Sequence, residues 1–216
     1  SLLIDYSKAF DVIEHPILLK KLEHYGIKGK ALEWFESYLS GRHQFVSVND
    51  VDSSLKPIHY GVPQGSILGP LLFIIYINDL PLISNLAKFI LYADDANIIV
   101  TGNSEEEVQA KLTSISNLLV KWVDSNGLAL NLKKTQFIIF TNRRIDRSKI
   151  NVTIAGTKIA RVTEARFLGI IIDENMTWSK HISAVKTKMA RYMGIMYRIK
   201  RHLPLKVRLQ LFHSFV

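Results

Sequence analysis

The stretch Phe89-Ile90-Leu91-Tyr92-Ala93-Asp94-Asp95-Ala96-Asn97-Ile98-Ile99-Val100-Thr101 decides how the rest of the chain is read. Two short β-rich runs, Phe89–Tyr92 and Ala96–Thr101, flank an acidic pair. This pattern predicts a tight hairpin with Asp94 and Asp95 at its tip. A third acid, Asp5, closes the apolar run Leu2-Leu3-Ile4. Acids at the ends of neighbouring strands can meet on one edge of a sheet. Carboxylates brought together repel unless a cation neutralises them. The chain has no cysteine, and no histidine stands beside these acids, so the donors favour a hard ion, Mg²⁺ or Mn²⁺. Two such ions assist in-line phosphoryl transfer by activating the attacking oxygen and stabilising the leaving one. Aspartate is also a frequent turn residue, so the residues alone equally allow a polar hairpin tip and an ordinary strand end.

Outward from this hairpin, strands and helices interleave. Pro16 suits the first turn of a helix carrying Leu18, Leu19 and Leu22, with Gly26 as its stop. A second helix is expected over Ala31–Tyr38, bearing Leu32, Trp34, Phe35 and Tyr38. Gln44–Val48 and Leu55–Tyr60 read as strands around an Asn49-Asp50 turn. Gly61–Gly65 is a loop, and Ile67 to about Leu80 a largely buried helix. Ser104, with Glu107 three residues on, opens a capped helix whose apolar stripe includes Leu112, Ile115, Leu119 and Trp122 and which ends near Gly127. Strands are expected at Leu128–Leu132, Gln136–Phe140, Val152–Ile154 and Phe167–Ile172, with a basic link over Asn142–Lys149. Two basic helices, about 178–201 and 205–216, are parted by Pro204. The order predicts an α+β fold with mostly antiparallel strands.

The 216 residues, 48% apolar and 22% charged, suffice for a buried core and exclude collagen-like or disordered chains. The longest apolar run, Ile67–Ile77, is about half of the ~20 residues a membrane span needs. The first ten residues lack a signal-peptide pattern. The absence of cysteine excludes a disulfide framework and fits an intracellular setting. Charge is unevenly spread: residues 1–130 carry net −5 and residues 131–216 net +14. That asymmetry points to a polyanion partner, most simply nucleic acid, against the alternative of a solvated basic helix surface. Both ends read as lying inside a longer protein, the first on a strand and the last within an apolar-periodic helix. The scattered histidines read as surface or packing residues, and Trp34, Trp122 and Trp178 as core residues rather than base-stacking platforms.

Five segments together resemble the reverse transcriptases. Tyr92-Ala93-Asp94-Asp95 resembles their Y-x-D-D box, and Leu3-Ile4-Asp5-Tyr6-Ser7-Lys8-Ala9-Phe10-Asp11 their first palm motif. Gly61-Val62-Pro63-Gln64-Gly65-Ser66-Ile67-Leu68-Gly69-Pro70 is similar to the second. Asn131-Leu132-Lys133-Lys134-Thr135 is similar to the N-x-x-K-T of the fourth, and Phe167-Leu168-Gly169 to the primer-grip hairpin. One such box is weak, whereas five in the family's order are specific. The Ser7-Lys8-Ala9-Phe10-Asp11 form, with Tyr76-Ile77-Asn78-Asp79-Leu80, resembles non-LTR retrotransposons of the LINE and jockey type.

The resemblance implies a polymerase palm over residues 1–173, a small antiparallel sheet backed by helices with the primer-grip hairpin near 167–172. A partial helical, basic thumb would begin over 174–216. It implies an RNA-directed DNA polymerase that adds dNTPs to a DNA primer on an RNA template with two Mg²⁺ or Mn²⁺ ions, and no membrane partner. Asp5, Asp94 and Asp95 would hold the metals, with Lys134 as proton donor to pyrophosphate. Tyr6 (through its carbonyl), Phe10 (as steric gate under the sugar), Gln64 and Gly65 would meet the nucleotide. Tyr92, Phe167, Leu168, Gly169, Arg198, Lys200 and Arg201 would meet primer and template. Asp11 and Asp79 are expected to be structural. The fingers motifs, which grip the triphosphate, would precede this stretch. Two other readings stay open: an inert retroelement remnant that only binds nucleic acid, and a carboxylate metal nuclease. The nuclease reading leaves Gly61–Ser66 and Phe167–Gly169 unexplained.

Overall fold

The computed structural model describes residues 1–143 and 146–215. The expected basic link and the expected helix end at Val216 therefore fall partly outside the described residues. In chain order the elements are β1 (Leu2–Ile4), α1 (His15–His24), α2 (Lys30–Leu39), β2 (His43–Gln44), β3 (Ser47–Val48), β4 (Val51–Asp52), β5 (Lys56–Pro57) and α3 (Leu68–Ile77). They continue with β6 (Ala87–Tyr92), β7 (Asp95–Val100), α4 (Glu105–Ser125), β8 (Gln136–Phe137), β9 (Thr153–Ile154), β10 (Thr157–Lys158) and β11 (Ala160–Arg161). Last come β12 (Glu164–Phe167), β13 (Ile170–Asp173), α5 (Ser179–Ile199) and α6 (Leu205–Phe215). Two compact units form, residues 1–139 with 143–162, and residues 140–142 with 163–216.

The first unit is built on a five-stranded sheet ordered β11-β8-β1-β7-β6. Its pairs are antiparallel except β11 with β8. Side chains alternate between the faces of a strand, so Leu2, Ile4 and Tyr6 of the first segment turn to one face, where all three are buried. Ala96 and Ile98, the register partners of Ile4 and Leu2, join them. Leu18 and Leu22 of α1, Leu72, Phe73 and Tyr76 of α3, and Ile115 and Leu119 of α4 complete this core. The α+β fold, a small mostly antiparallel sheet with helices against it, is as the sequence implied.

Helix α4 shows how local signals set its ends. The Glu107 amide donates to Ser104 Oγ at 3.2 Å, while Glu107 Oε2 accepts from the Asn103 amide at 2.8 Å. The reciprocal cap thus reaches one residue further out than the usual capping box. At the other end Gly127 takes φ +59°, and the Leu128 amide donates back to Val123 O at 3.0 Å. This is a Schellman stop. A partly buried polar tie joins three helices: Lys21 Nζ donates to Asp79 Oδ1 and the Tyr76 carbonyl and lies over the Trp122 and Tyr76 rings. Asp79 is structural here, as expected, and also accepts from Trp122 Nε1 at 3.3 Å.

Several local expectations change. The strand expected over Leu128–Leu132 shrinks to a single bridge between Tyr6 and Leu130, because Asn131–Thr135 closes into a turn, with the amides of Lys134 and Thr135 donating to Asn131 O. Gln136–Phe140 pairs only over Gln136–Phe137. The helix expected to be largely buried leaves Leu71 and Ile74 about half exposed and Ile67 at 94%. Trp34, expected in the core, stands exposed on α2 and stacks on Tyr38 at 5.6 Å. The Asn49-Asp50 turn forms as read, both residues at positive φ, joining the paired β3 and β4 inside the outer pair β2–β5.

In the second unit, β12 and β13 form a hairpin that packs with α5. The sequence reading of one strand over Phe167–Ile172 is replaced by a turn at Leu168-Gly169, at φ +48° and +81°. Asp173 accepts from the amides of Asn175, Thr177 and Trp178, which holds its carboxyl below the usual range and fixes the entry to α5.

Candidate active site

The first segment delivers Asp5 just past the end of β1. Its neighbour Ile4 pairs with Ala96, and Ala96 follows Asp95, so the ends of β1 and β7 bring Asp5 beside the acidic turn. Within the hairpin Tyr92 pairs with Asp95, leaving Ala93-Asp94 as the two turn residues. The tip is therefore one residue earlier than the sequence suggested, and Ala93 accepts a left-handed φ of +49°. Asp5 is clamped through its backbone: its amide donates to Thr135 Oγ1 at 3.3 Å and its carbonyl accepts from the Asn131 amide at 2.8 Å. The Ser7 amide donates to Ala129 O at 2.7 Å. The Asn131–Thr135 motif thus acts as a brace for Asp5 as well as presenting Lys134.

A second loop is pressed onto the first. The Val62 amide donates to Phe10 O and the Gly61 amide to Ile13 O, each at 2.8 Å. A Cβ on Gly61 would lie 2.8 Å from Asp11 O and 2.9 Å from Phe10 O, so only glycine permits this approach. Beyond it, Gln64 Nε2 donates to Asp11 Oδ1 at 2.8 Å, which gives Asp11 the structural role expected of it. Ser66 Oγ donates to Pro63 O and accepts from the Gly69 amide, tying the loop to the start of α3.

These pieces enclose a cavity of about 490 Å³ whose wall includes Asp5, Tyr6, Phe10, Gln64, Asp94 and Lys134. Phe10 stands over it with its ring 4.7 Å from that of Phe73, half-buried and held from behind. The Tyr6 side chain goes the other way, into the core against Phe73. Only its backbone is left for the cavity, and its buried hydroxyl finds no partner among the described residues. Burial raises that phenol well above its ordinary pKa.

Burial, then the charges of Asp94 and Asp5, raise the Asp95 carboxyl. The site therefore holds negative charge that a cation would offset. Among the described residues no three His, Asp or Glu side chains are gathered into a ready metal cage. The donors nevertheless fit a hard divalent ion: they are carboxylate oxygens in an open cavity, and Mg²⁺ is commonly held by one or two carboxylates together with substrate phosphates.

Other sequence-derived candidates lie elsewhere. Asp95, Gly65 and Tyr92 do not line this cavity; Tyr92 is 65% exposed, and Gly65 sits at φ +84° with open space around it. In the second unit Phe167 ends β12, Leu168 and Gly169 form the hairpin turn, and Arg198, Lys200 and Arg201 are exposed near the end of α5. Lys200 lies 3.7 Å over the Tyr197 ring. Lys8, Asn131 and Thr135 were not singled out from sequence, although all three stand inside motifs that were. Lys8 lines the cavity, and the other two fix Asp5.

An α+β fold with Asp5 and Asp94 on one cavity at neighbouring strand ends and a glycine loop packed on the Phe10–Asp11 turn defines a polymerase palm. The chain belongs to the reverse transcriptase (RNA-dependent DNA polymerase) family, which it matches over residues 1–172. It is 31% identical to the RNA-directed DNA polymerase from mobile element jockey of Drosophila melanogaster, over 87% of this chain and 21% of that protein. It is 28% identical to the probable RNA-directed DNA polymerase from transposon X-element of the same fly, over 88% of this chain and 21% of that one. The chain thus spans about a fifth of the length of these relatives. The likeness to jockey-type elements read from Ser7–Asp11 and Tyr76–Leu80 is borne out. Among solved structures, telomerase from Candida albicans aligns with a TM-score of 0.54 at 15% identity, covering 80% of this chain and 30% of that one. Apo telomerase from Candida tropicalis aligns at 0.52 and 16%, covering 82% and 34%. At such identities the likeness concerns the fold.

Proposed function

We propose that this chain is the palm and the beginning of the thumb of a non-LTR retrotransposon polymerase that acts inside the cell. It extends a DNA primer with deoxynucleotides on an RNA template. One observation carries the reading: a single cavity gathers Asp5 and Asp94 with Phe10, Gln64 and Lys134.

Asp5 and Asp94 would hold two Mg²⁺ or Mn²⁺ ions, Asp95 adding charge from the neighbouring strand. Bound there, the ions would make the primer 3′-hydroxyl a better nucleophile and offset charge on the departing pyrophosphate. Lys134 reaches the same space and can give a proton to that leaving group. Phe10, braced by Phe73, sets a wall against a 2′-hydroxyl. Gln64, held by Asp11, and the open backbone at Gly65 leave room for the nucleotide over the loop. The β12–β13 turn and the basic end of α5 supply groups suited to primer and template, the cations meeting phosphates without sequence preference.

Primer extension by the full-length element protein, with Asp94→Asn against the parent, tests this. The change keeps shape and removes charge, and the rate should fall by about a thousandfold or more. Extension within tenfold of the parent would overturn the assignment.

A further inference from the structure

Tyr38 lies outside all five motifs, on the last turn of α2, yet its hydroxyl donates to Ser66 Oγ at 3.0 Å. A serine hydroxyl has one proton and two lone pairs. At Ser66 the proton goes to Pro63 O at 2.8 Å, one lone pair takes the Gly69 amide at 3.0 Å, and Tyr38 fills the other. With its own proton engaged, Ser66 can only accept from Tyr38. All the bonding capacity of Ser66 is used, and the last share of it comes from another helix.

The consequence reaches beyond Ser66. The Pro63 carbonyl belongs to the rigid peptide plane that carries the Gln64 amide nitrogen. Two groups meet that carbonyl: Ser66 Oγ donates to it, and α3 begins so close by that a Cβ on Gly69 would lie 2.7 Å from it. Fixing the plane fixes where the Gln64 side chain leaves the backbone. Gln64 then reaches Asp11 Oδ1 at 2.8 Å and lines the carboxylate cavity. It also lines a neighbouring cavity of about 600 Å³, to which Pro63 and Arg42 contribute.

The Tyr38 ring is itself held in place. Trp34, four residues earlier, lies nearly parallel to it at 5.6 Å, with 11° between the planes. The Arg42 guanidinium, four residues later, lies 5.7 Å from its centroid. Both are favourable contacts for an aromatic ring. A phenylalanine would make them equally well, so what sets tyrosine apart here is the hydroxyl that reaches the loop.

We propose that Tyr38 is a positioning residue for nucleotide binding: through Ser66 it sets the Pro63–Gln64 peptide, and with it the Gln64 side chain on the cavity wall. This rests on the reading of that cavity as a nucleotide site.

In the full-length element protein, Tyr38→Phe should raise KM for deoxynucleotides about three- to tenfold, the effect of one neutral hydrogen bond, and leave kcat within about twofold. A loosened Gln64 weakens the nucleotide before and during reaction alike, which is why KM carries the loss. A tyrosine that merely packs α2 would instead lower the folded fraction, and so kcat, at unchanged KM. In a Ser66→Ala background the effect of Tyr38→Phe on KM should shrink to within about twofold, because the relay is already cut. Additive effects, or a fall in kcat alone, overturn the proposal. If Ser66→Ala does not fold, a measurement on the 216-residue chain decides, made without metal, primer or nucleotide. There Tyr38→Phe should quicken exchange of the Gly69 amide, which donates to Ser66 Oγ, by about threefold or more. It should also move the Gln64 backbone amide resonance, while the Val108 amide on α4 stays as it was. Unmoved Gly69 exchange and Gln64 resonance overturn the relay. A parent protein that extends no primer counts against the polymerase reading alone, and the relay is then judged on the chain.

Discussion

Gly61 and Gly65 have the same backbone angle, φ +84°, yet what a side chain would meet at each is opposite. A Cβ at Gly61 would lie 2.8 Å from Asp11 O and 2.9 Å from both Asp11 Cα and Phe10 O, whereas at Gly65 nothing stands within 4 Å. Alanine at either position incurs the left-handed penalty, about 1–2 kcal/mol. At Gly61 the clash is with backbone, which cannot swing aside as a side chain does, and overpacking adds about 1–3 kcal/mol. Gly61→Ala should therefore exceed Gly65→Ala by about 2 kcal/mol. For a chain of this size that is a difference of about 4–8 °C in melting temperature. Thermal denaturation of both variants measures it, and hydrogen exchange at the Val62 amide, which donates to Phe10 O, localises it to the joint between the two loops. Equal losses for the two variants, or a larger one for Gly65→Ala, would refute the close-approach argument.

Phe10→Ala in the full-length element protein should raise ribonucleotide incorporation while deoxynucleotide use largely persists, and should cost about 1–2 kcal/mol from the lost contact with Phe73. Unchanged sugar discrimination would leave Phe10 a packing residue. Burial lowers the pKa of Lys21 below its ordinary 10.5, against the opposing pull of Asp79. Over the interval between the folded-state value and 10.5 Lys21 binds more protons in the unfolded chain, so its own contribution to stability rises with pH there. Tyr6 and Tyr76 oppose it, since their burial-raised phenols keep their protons in the folded chain as pH passes 10. Lys21→Met keeps the stem against Tyr76 and Trp122 and removes the Lys21 contribution, so the stability of the parent relative to the variant should grow over stepped alkaline pH; a constant difference counts against it. Arg198, Lys200 and Arg201 changed together to Gln should reduce the salt dependence of duplex binding by about 2–3 log units per log salt. An unmoved slope with helix content intact would make these residues plain solvated surface.

Much of this protein was legible in its sequence because the signals are local. Short β-rich runs around Asp94-Asp95 specify a hairpin, and Ser104, Glu107 and Gly127 mark the ends of α4 whatever packs against it. The five motifs named the family, since residue types at set spacings survive without coordinates. What tertiary structure alone decided are matters of register and distant contact. Pairing Tyr92 with Asp95 made Ala93-Asp94 the turn, and one residue of register exchanges the faces of a strand. The brace from Asn131 and Thr135 to Asp5 converted an expected strand into a turn. Trp34 and the Leu71–Ile74 face are as apolar as core residues, and only the neighbours folding places around them determine exposure. Lys8 carries no signal in sequence beyond its place in the first motif; it lines two neighbouring cavities where Gly61, more than fifty residues on, packs against the adjoining turn. Local composition carries the elements and their chemistry, whereas long-range packing determines which of those groups share a space.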